Sequence, residues 1–99
     1  MTSTAQKDVV VMNSMGIHMR PADLLSRVAG KFESEIEIEK DGQIVDCKSI
    51  MSILTLGARQ GSQLHIKAVG SDAKEAVEAL SELFEQGFNE SDSEITEAN

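Results

Sequence analysis

Two stretches of the chain alternate between apolar and polar side chains. Residues 34–40 place Ile36 and Ile38 on one face and three glutamates on the other, and residues 62–69 repeat this alternation. Successive side chains of a strand point to opposite faces, so each stretch predicts an antiparallel strand with one buried and one solvated face. In the second stretch, the solvated positions include His65 and Lys67.

Two further strands complete the predicted sheet. Residues 8–13 contain three consecutive valines, and β-branched side chains pack well on a pleated surface. The pair Asp41-Gly42 is a strong signal for a tight hairpin turn. We therefore predict that residues 43–47 form a strand that pairs back onto residues 34–40.

Three segments are predicted as helices, two of them from their apolar spacing and the short middle one from its end signals. Their predicted limits are 19–32, 49–56 and 72–86. Ser49 is a suitable N-cap for the middle helix, and Gly57 is placed to end it in a left-handed conformation. Asp72 with Glu75 fits a capping box at the start of the last helix, and Gly87 is the expected stop.

The element order is therefore β-α-β-β-α-β-α. All four strands can run antiparallel, and the three helices need a single sheet face to bury their apolar sides. This predicts an α+β fold, a two-layer open-faced sandwich with a four-stranded antiparallel sheet and three helices on one face. We predict one folded domain over residues 8–88, a flexible N-terminal segment 1–7 and an acidic, disordered tail 89–99.

Composition narrows the class of protein. No apolar run approaches the roughly 18 residues that a membrane span needs, and residues 1–7 lack the apolar core of an export signal. Cys47 is the single cysteine, which excludes an internal disulfide and fits a reducing cytoplasm. The net charge of -8 argues against broad binding to nucleic acid or anionic membranes. We therefore expect a cytoplasmic protein.

The charge is unevenly distributed. From residue 1 to 71 there are eight acidic and eight basic side chains, so the whole net charge of -8 falls in the last 28 residues. Within the neutral part, residues 14–31 carry Arg20, Arg27 and Lys31 against Asp23 alone. This local positive charge makes residues 14–31 the part of the chain suited to an anion.

His18 lies where a glycine loop meets the start of the first predicted helix. The first amides of a helix have no intrahelical partner and the helix dipole is positive there, which favours phosphate. The same field disfavours an imidazolium, so we expect His18 to be neutral and nucleophilic near pH 7. Arg20 can bind phosphate with charge-assisted hydrogen bonds, whereas Asp23 should point away. Taken alone, this position also fits a histidine that merely caps the helix beside a solvated arginine.

Two motifs resemble one known family. The segment Gly16-Ile17-His18-Met19-Arg20-Pro21-Ala22 resembles the phosphorylation signature of HPr, the histidine-containing phosphocarrier protein of the bacterial phosphoenolpyruvate-dependent phosphotransferase system. The segment Lys48-Ser49-Ile50-Met51-Ser52-Ile53-Leu54-Thr55-Leu56-Gly57 is similar to the regulatory-serine helix of that family. Two motifs at this separation, with the element order predicted above, are more specific than either motif alone.

The resemblance implies a phosphoryl relay. Nδ1 of His18 would accept a phosphoryl group from enzyme I, itself phosphorylated by phosphoenolpyruvate, and pass it to enzyme IIA components for sugar uptake, while Arg20 stabilises the charge. Such a chain is a covalent carrier and not a stand-alone enzyme, and it needs no cofactor. Ser49 matches the serine that HPr kinase/phosphorylase modifies in Gram-positive members, and its phosphate could recruit a transcription regulator.

The resemblance also implies a docking surface. In the family, partner proteins dock beside the active histidine on positions that match five residues here: Met19, Arg27, Ile50, Met51 and Leu54. Met19 stands where alanine is usual, which adds apolar bulk. The acidic extension beyond Phe88 is longer than usual and puts in doubt any role of a chain-terminal carboxylate near the site.

Alternatives to sugar uptake remain at this level. One is a regulatory, nitrogen-type branch of the phosphotransferase system, and another is a non-transporting adaptor that controls a transcription factor or an enzyme. His65 and Cys47 are most simply a surface residue and a small strand-end residue, and a single cysteine with two distant histidines does not make a metal site. We expect a monomer that binds neither nucleic acid nor membrane.

Overall fold

A computed structural model describes residues 2–90, which form seven regular elements and a closing turn. The elements are β1 (Ser3–Val10), α1 (Met19–Ala29), β2 (Glu35–Lys40), β3 (Gln43–Asp46), α2 (Ile50–Leu54), β4 (Gln63–Gly70) and α3 (Ala73–Glu85), followed by a 3-10 turn (Gly87–Asn89). The predicted order β-α-β-β-α-β-α is confirmed. The rest of the predicted acidic tail, residues 91–99, lies outside the described residues.

The four strands form one antiparallel sheet in the order β1-β4-β2-β3. The hairpin between β2 and β3 turns at Asp41 and Gly42, whose φ angles of 50° and 86° are those of a two-residue turn that matches strand twist. Ile38 of β2 lies opposite Ile66 of β4, and both side chains are buried. The predicted antiparallel sheet is therefore confirmed.

The three helices bury their apolar stripes against the sheet. In α1 the stripe includes Ala22 and Leu25, and in α3 it includes Leu80 and Phe84, all of them buried. Phe88, after the end of α3, is also buried and packs edge-on against Phe84 with ring centroids 4.9 Å apart. The open-faced α+β sandwich is confirmed, and its core reaches beyond the last helix.

The first strand begins earlier than predicted. The sequence predicted a flexible segment over residues 1–7, but the structure places Ser3 to Lys7 in β1. These residues are mostly polar, so their pattern gives no strand signal. They belong to β1 because they pair with β4: each residue continues the antiparallel ladder, which ends with Ser3 opposite Gly70. Lys7 also lies 3.5 Å from Glu85 of α3.

Helices α1 and α2 are shorter than predicted. Helix α1 ends at Ala29 and not at Phe32, because Lys31 and Phe32 donate their amides three residues back, as in the tighter turns that end helices. Helix α2 covers only Ile50–Leu54, although Ser49 is its N-cap as predicted. Gly57 has the expected left-handed φ of 58°.

The predicted capping box at Asp72 is wrong. Asp72 is the N-cap of α3, but its side chain makes no capping hydrogen bond. The carboxylate instead accepts the backbone amides of Glu33 at 2.9 Å and Ser34 at 3.0 Å. The Ser34 hydroxyl also donates to this carboxylate. Its hydrogen bond contributes most to lowering the pKa of the Asp72 carboxyl from its ordinary value, and the two amides lower it further. Asp72 thus joins the start of α3 to the start of β2.

Candidate anion site at the start of helix α1

His18 is the N-cap residue of α1, with an extended backbone and no capping hydrogen bond from its side chain. The loop before it is held by Ile17, whose amide donates to the Ala58 carbonyl at 2.9 Å. Gly16 has a φ of 69°, and a Cβ at this position would lie 2.6 Å from the same carbonyl oxygen. Only glycine suits this close approach, so Gly16 fixes how the loop presents His18.

The helix start leaves donors for an anion. Pro21 lacks an N–H, so Met19 and Arg20 provide the first amides of α1, and among residues 2–90 neither has a hydrogen-bond acceptor. Asp23, the acid nearest in sequence, is 2.9 Å from Arg27 one turn further on. Asp23 is therefore engaged within α1 by Arg27, in line with the expectation that it points away from His18.

A carboxylate lies at this site. Oε2 of Glu90 is 2.8 Å from Nε2 of His18 and 2.9 Å from Nε of Arg20. Its other oxygen, Oε1, accepts from Nδ2 of Asn13 at 2.9 Å. Burial raises the pKa of Glu90, but the hydrogen bonds from Arg20, Asn13 and His18 outweigh that cost and hold the pKa below its ordinary value. The site therefore binds a carboxylate through a histidine, an arginine and an asparagine.

The sequence missed both Asn13 and Glu90. The sequence predicts a disordered acidic tail from residue 89, but the structure brings Glu90 of that segment back to His18. The reversal follows from Gly87 and Phe88: both have left-handed φ angles, 59° and 56°, and Phe88 is buried. Arg20 also donates to the carbonyl oxygen of Phe88. An apolar residue directly after the helix stop was the one available signal.

Helix α2 lies next to α1. The Ser49 hydroxyl accepts the amide of Ser52 at 3.2 Å, which makes it an N-cap through its side chain. The neighbouring Lys48 is occupied, because its Nζ donates to the carbonyl oxygen of Phe32 at 2.9 Å. Ser49 is only partly exposed, so its oxygen is not fully covered.

The five residues predicted for docking differ in accessibility. Met19 and Met51 are exposed, with 57% and 69% of their surface accessible, whereas Ile50 and Leu54 are only partly exposed and pack on the core. Arg27 is exposed but paired with Asp23. Two more methionines, Met12 and Met15, are also exposed near this loop, and the sequence did not single them out.

The remaining candidates are engaged elsewhere. Cys47 is buried, and burial, assisted by the negative charge of Asp46, raises the pKa of its thiol to about 12. His65 lies on the open face of the sheet, where its two ring nitrogens are 2.7 Å from Asp8 and 2.8 Å from Gln6. Residues 2–90 contain no group of three or more histidine, cysteine, aspartate or glutamate side chains that could hold a metal ion.

Comparison with known proteins identifies the fold and the motif together. The family described as "PTS HPr component phosphorylation site" matches residues 5–86. The chain belongs to the HPr family. Its membership makes it a phosphocarrier of the phosphotransferase system, and the resemblance carried by the two motifs is confirmed. Among residues 2–90, this HPr-family chain has no helix long and apolar enough to cross a bilayer.

Solved structures agree with this assignment. An HPr from Thermoanaerobacter tengcongensis is 41% identical, with a TM-score of 0.85, over 88% of this chain and 98% of its own. The phosphocarrier protein HPr from Bacillus anthracis is 44% identical, with a TM-score of 0.79, over 83% of this chain and 98% of its own. The catabolite repression containing protein Crh of Bacillus subtilis is 36% identical, with a TM-score of 0.67, over 83% of this chain and 94% of its own.

Proposed function

We propose that His18 accepts a phosphoryl group on Nδ1 from enzyme I, which takes it from phosphoenolpyruvate, and passes it to enzyme IIA components for sugar uptake. The observation that supports this most is the binding of one anionic group by both His18 and Arg20 at the start of α1. Nε2 is engaged with Glu90, and Nδ1 has no hydrogen-bond partner among residues 2–90. Nδ1 is therefore the ring nitrogen open to a phosphoryl donor.

The protein's part in this reaction is positioning and charge. Phosphoryl transfer asks for little covalent chemistry beyond an aligned nucleophile and a stabilised phosphoryl group. The guanidinium of Arg20 has five N–H donors, and only two of them are used among the described residues, by Glu90 and Phe88. The remaining donors, with the amides of Met19 and Arg20, are available to the oxygens of a phosphoryl group on His18.

The direct test is to label the chain with phosphoenolpyruvate and a catalytic amount of enzyme I. We expect one acid-labile phosphoryl group on the unmodified chain, because a phosphoimidazole hydrolyses in acid. His18→Ala should lose it completely, and His65→Ala, the matched control at the only other histidine, should keep it. Labelling retained in His18→Ala would show that another residue is the acceptor.

We propose that the exposed methionines form the surface on which enzyme I and IIA components dock. Met19 directly follows His18, and Met51 lies on α2, which packs beside α1. Methionine is flexible and polarisable, so it suits a surface that must fit several partners. The partly buried Ile50 and Leu54 would support this surface from beneath, and Arg27 would border it.

Regulation at Ser49 by an HPr kinase/phosphorylase is the second part of the proposal. A phosphate at an N-cap adds about -1.5 to -2 charge where the helix dipole favours it, so α2 need not rearrange. The added charge would act on partners, by weakening the docking of enzyme I or IIA or by recruiting a transcription regulator. Ser49 supports this role because its oxygen already occupies the N-cap.

Mass spectrometry after incubation with such a kinase and ATP tests the assignment. We expect phosphate on Ser49 and its loss in Ser49→Ala. Ser52→Ala is the matched control, because Ser52 lies in the same helix and only its amide contacts Ser49. Phosphate found on Ser52 alone would contradict the assignment to Ser49.

A further inference from the structure

Glu90 is held in place by three side chains from a distant part of the chain, residues 13–20. Its side chain is only 14% exposed, and its contacts with Asn13, His18 and Arg20 span 70 to 77 residues of sequence. Asn13 is itself buried, and its Nδ2 also donates to the Gly16 carbonyl at 2.8 Å. Asn13 thus ties Glu90 to the loop that presents His18.

The contact with Glu90 determines which ring nitrogen of His18 carries a proton. A carboxylate has only lone pairs to offer, so a distance of 2.8 Å between Oε2 and Nε2 requires a hydrogen on Nε2. Arg20 and Asn13 donate to the same carboxylate and favour its ionised form. In a neutral imidazole, a hydrogen on Nε2 leaves Nδ1 with its lone pair.

We propose that Glu90 is a positioning residue for phosphoryl transfer, which holds His18 in the Nε2–H tautomer and so keeps Nδ1 nucleophilic. This inference rests on the proposed function, because it matters only if His18 accepts a phosphoryl group. It assigns a role to an internal residue, nine positions before the end of the chain, whose contribution comes through its side chain.

Phosphoryl transfer to His18 requires no proton transfer at its ring. The lone pair of Nδ1 forms the new bond to phosphorus, and the bond from phosphorus to the donor atom of enzyme I breaks with its electron pair going to that atom. Nε2 keeps its hydrogen throughout, so the ring becomes a phosphoimidazolium cation. The Glu90 carboxylate already lies against Nε2 and would stabilise the positive charge as it develops.

The orientation of Glu90 leaves room for the phosphoryl group. Glu90 contacts Nε2, not Nδ1, and it makes no hydrogen bond to the amides of Met19 or Arg20 among residues 2–90. A group on Nδ1 would therefore use donors that Glu90 leaves unoccupied. This separates Glu90 from a carboxylate that simply takes the place of the phosphoryl group.

The test compares the full-length chain with Glu90→Ala and Glu90→Gln. Nitrogen-15 NMR of the His18 ring in the unphosphorylated protein reads the tautomer directly and needs no partner protein. We expect the Nε2–H tautomer in the unmodified chain, a mixed population in Glu90→Ala, and restoration in Glu90→Gln, whose amide oxygen can accept from Nε2. The matched control Glu85→Ala, which removes an acid that pairs with Lys7, should leave the ring signals unchanged.

The rate of phosphorylation by enzyme I gives a second readout. We expect Glu90→Ala to accept the phosphoryl group roughly tenfold more slowly, as for the loss of one charge-assisted hydrogen bond. An unchanged tautomer in Glu90→Ala, or a faster rate in that variant, would overturn the inference while leaving His18 as acceptor. A chain that takes no phosphoryl group even when unmodified would instead refute the proposed function.

Discussion

Around His18, the contacts that define the site join residues 70 to 77 positions apart. The sequence could single out His18 and Arg20, because a loop-to-helix junction and a motif are local features. It could not single out Asn13 or Glu90, since no local pattern shows which acidic residue of the chain end returns to the helix start. The pKa of Glu90 is lowered by that same nonlocal arrangement.

Gly16 provides a test of the loop at the residue scale. Gly16→Ala would place a left-handed alanine with its Cβ 2.6 Å from the Ala58 carbonyl oxygen. Gly57→Ala is the matched control, because Gly57 has a similar φ of 58° but nothing within 4 Å of the added Cβ. We expect both variants to lose about 1–2 kcal/mol from the left-handed backbone, and Gly16→Ala to lose about 1–3 kcal/mol more from the clash.

Denaturant unfolding measures these losses in free energy. Phosphorylation of the folded variants by enzyme I should also slow in Gly16→Ala and stay normal in Gly57→Ala, because only Gly16 shapes the approach to His18. Equal stability of the two variants would show that the contact with Ala58 is unimportant.

Among the elements, the sequence predicted the type and order of all seven, and its errors lie mainly in their first and last residues. Residues 3–7 carry no apolar alternation, so their membership of β1 depends on pairing with β4, which no local pattern contains. The apolar spacing of α1 continues to Phe32 after the helix has ended, because Phe32 still packs on the core from a turn. Burial thus follows the spacing of side chains more closely than helical structure does.

The contact between α3 and β2 makes stability depend on pH. The folded-state pKa of Asp72 is depressed by hydrogen bonds from Ser34 and Glu33, so its contribution is present above the unfolded value of 3.8. That contribution is lost as the pH falls below 3.8 toward the folded value. We expect Asp72→Asn to be less stable than the unmodified chain near neutral pH, with the difference shrinking on acidification.

Unfolding experiments across pH, with Glu75→Gln beside Asp72→Asn, check this expectation. Glu75 lies in the first turn of the same helix, so its variant removes an equal charge without touching Glu33 or Ser34. A stability difference for Asp72→Asn that does not change with pH would rule out the carboxylate as its source.

For the whole molecule, charge and topology act together. The last 28 residues contain the entire net charge of -8, so their charge alone argues against their taking part in an anion site. The fold brings one of those acids, Glu90, to His18, since the buried Phe88 turns the chain back across the start of α1. The sequence was therefore sufficient for the fold and the family, whereas the groups that surround His18 depend on the complete tertiary structure.

The most direct test of this arrangement is to identify the atom that carries the phosphoryl group. The full-length chain, labelled with nitrogen-15, is phosphorylated by phosphoenolpyruvate and enzyme I and examined by phosphorus–nitrogen correlation NMR. We expect phosphorus bonded to Nδ1 of His18, with hydrogen retained on Nε2 beside Glu90. Phosphorus on Nε2, or on a residue other than His18, would contradict the account.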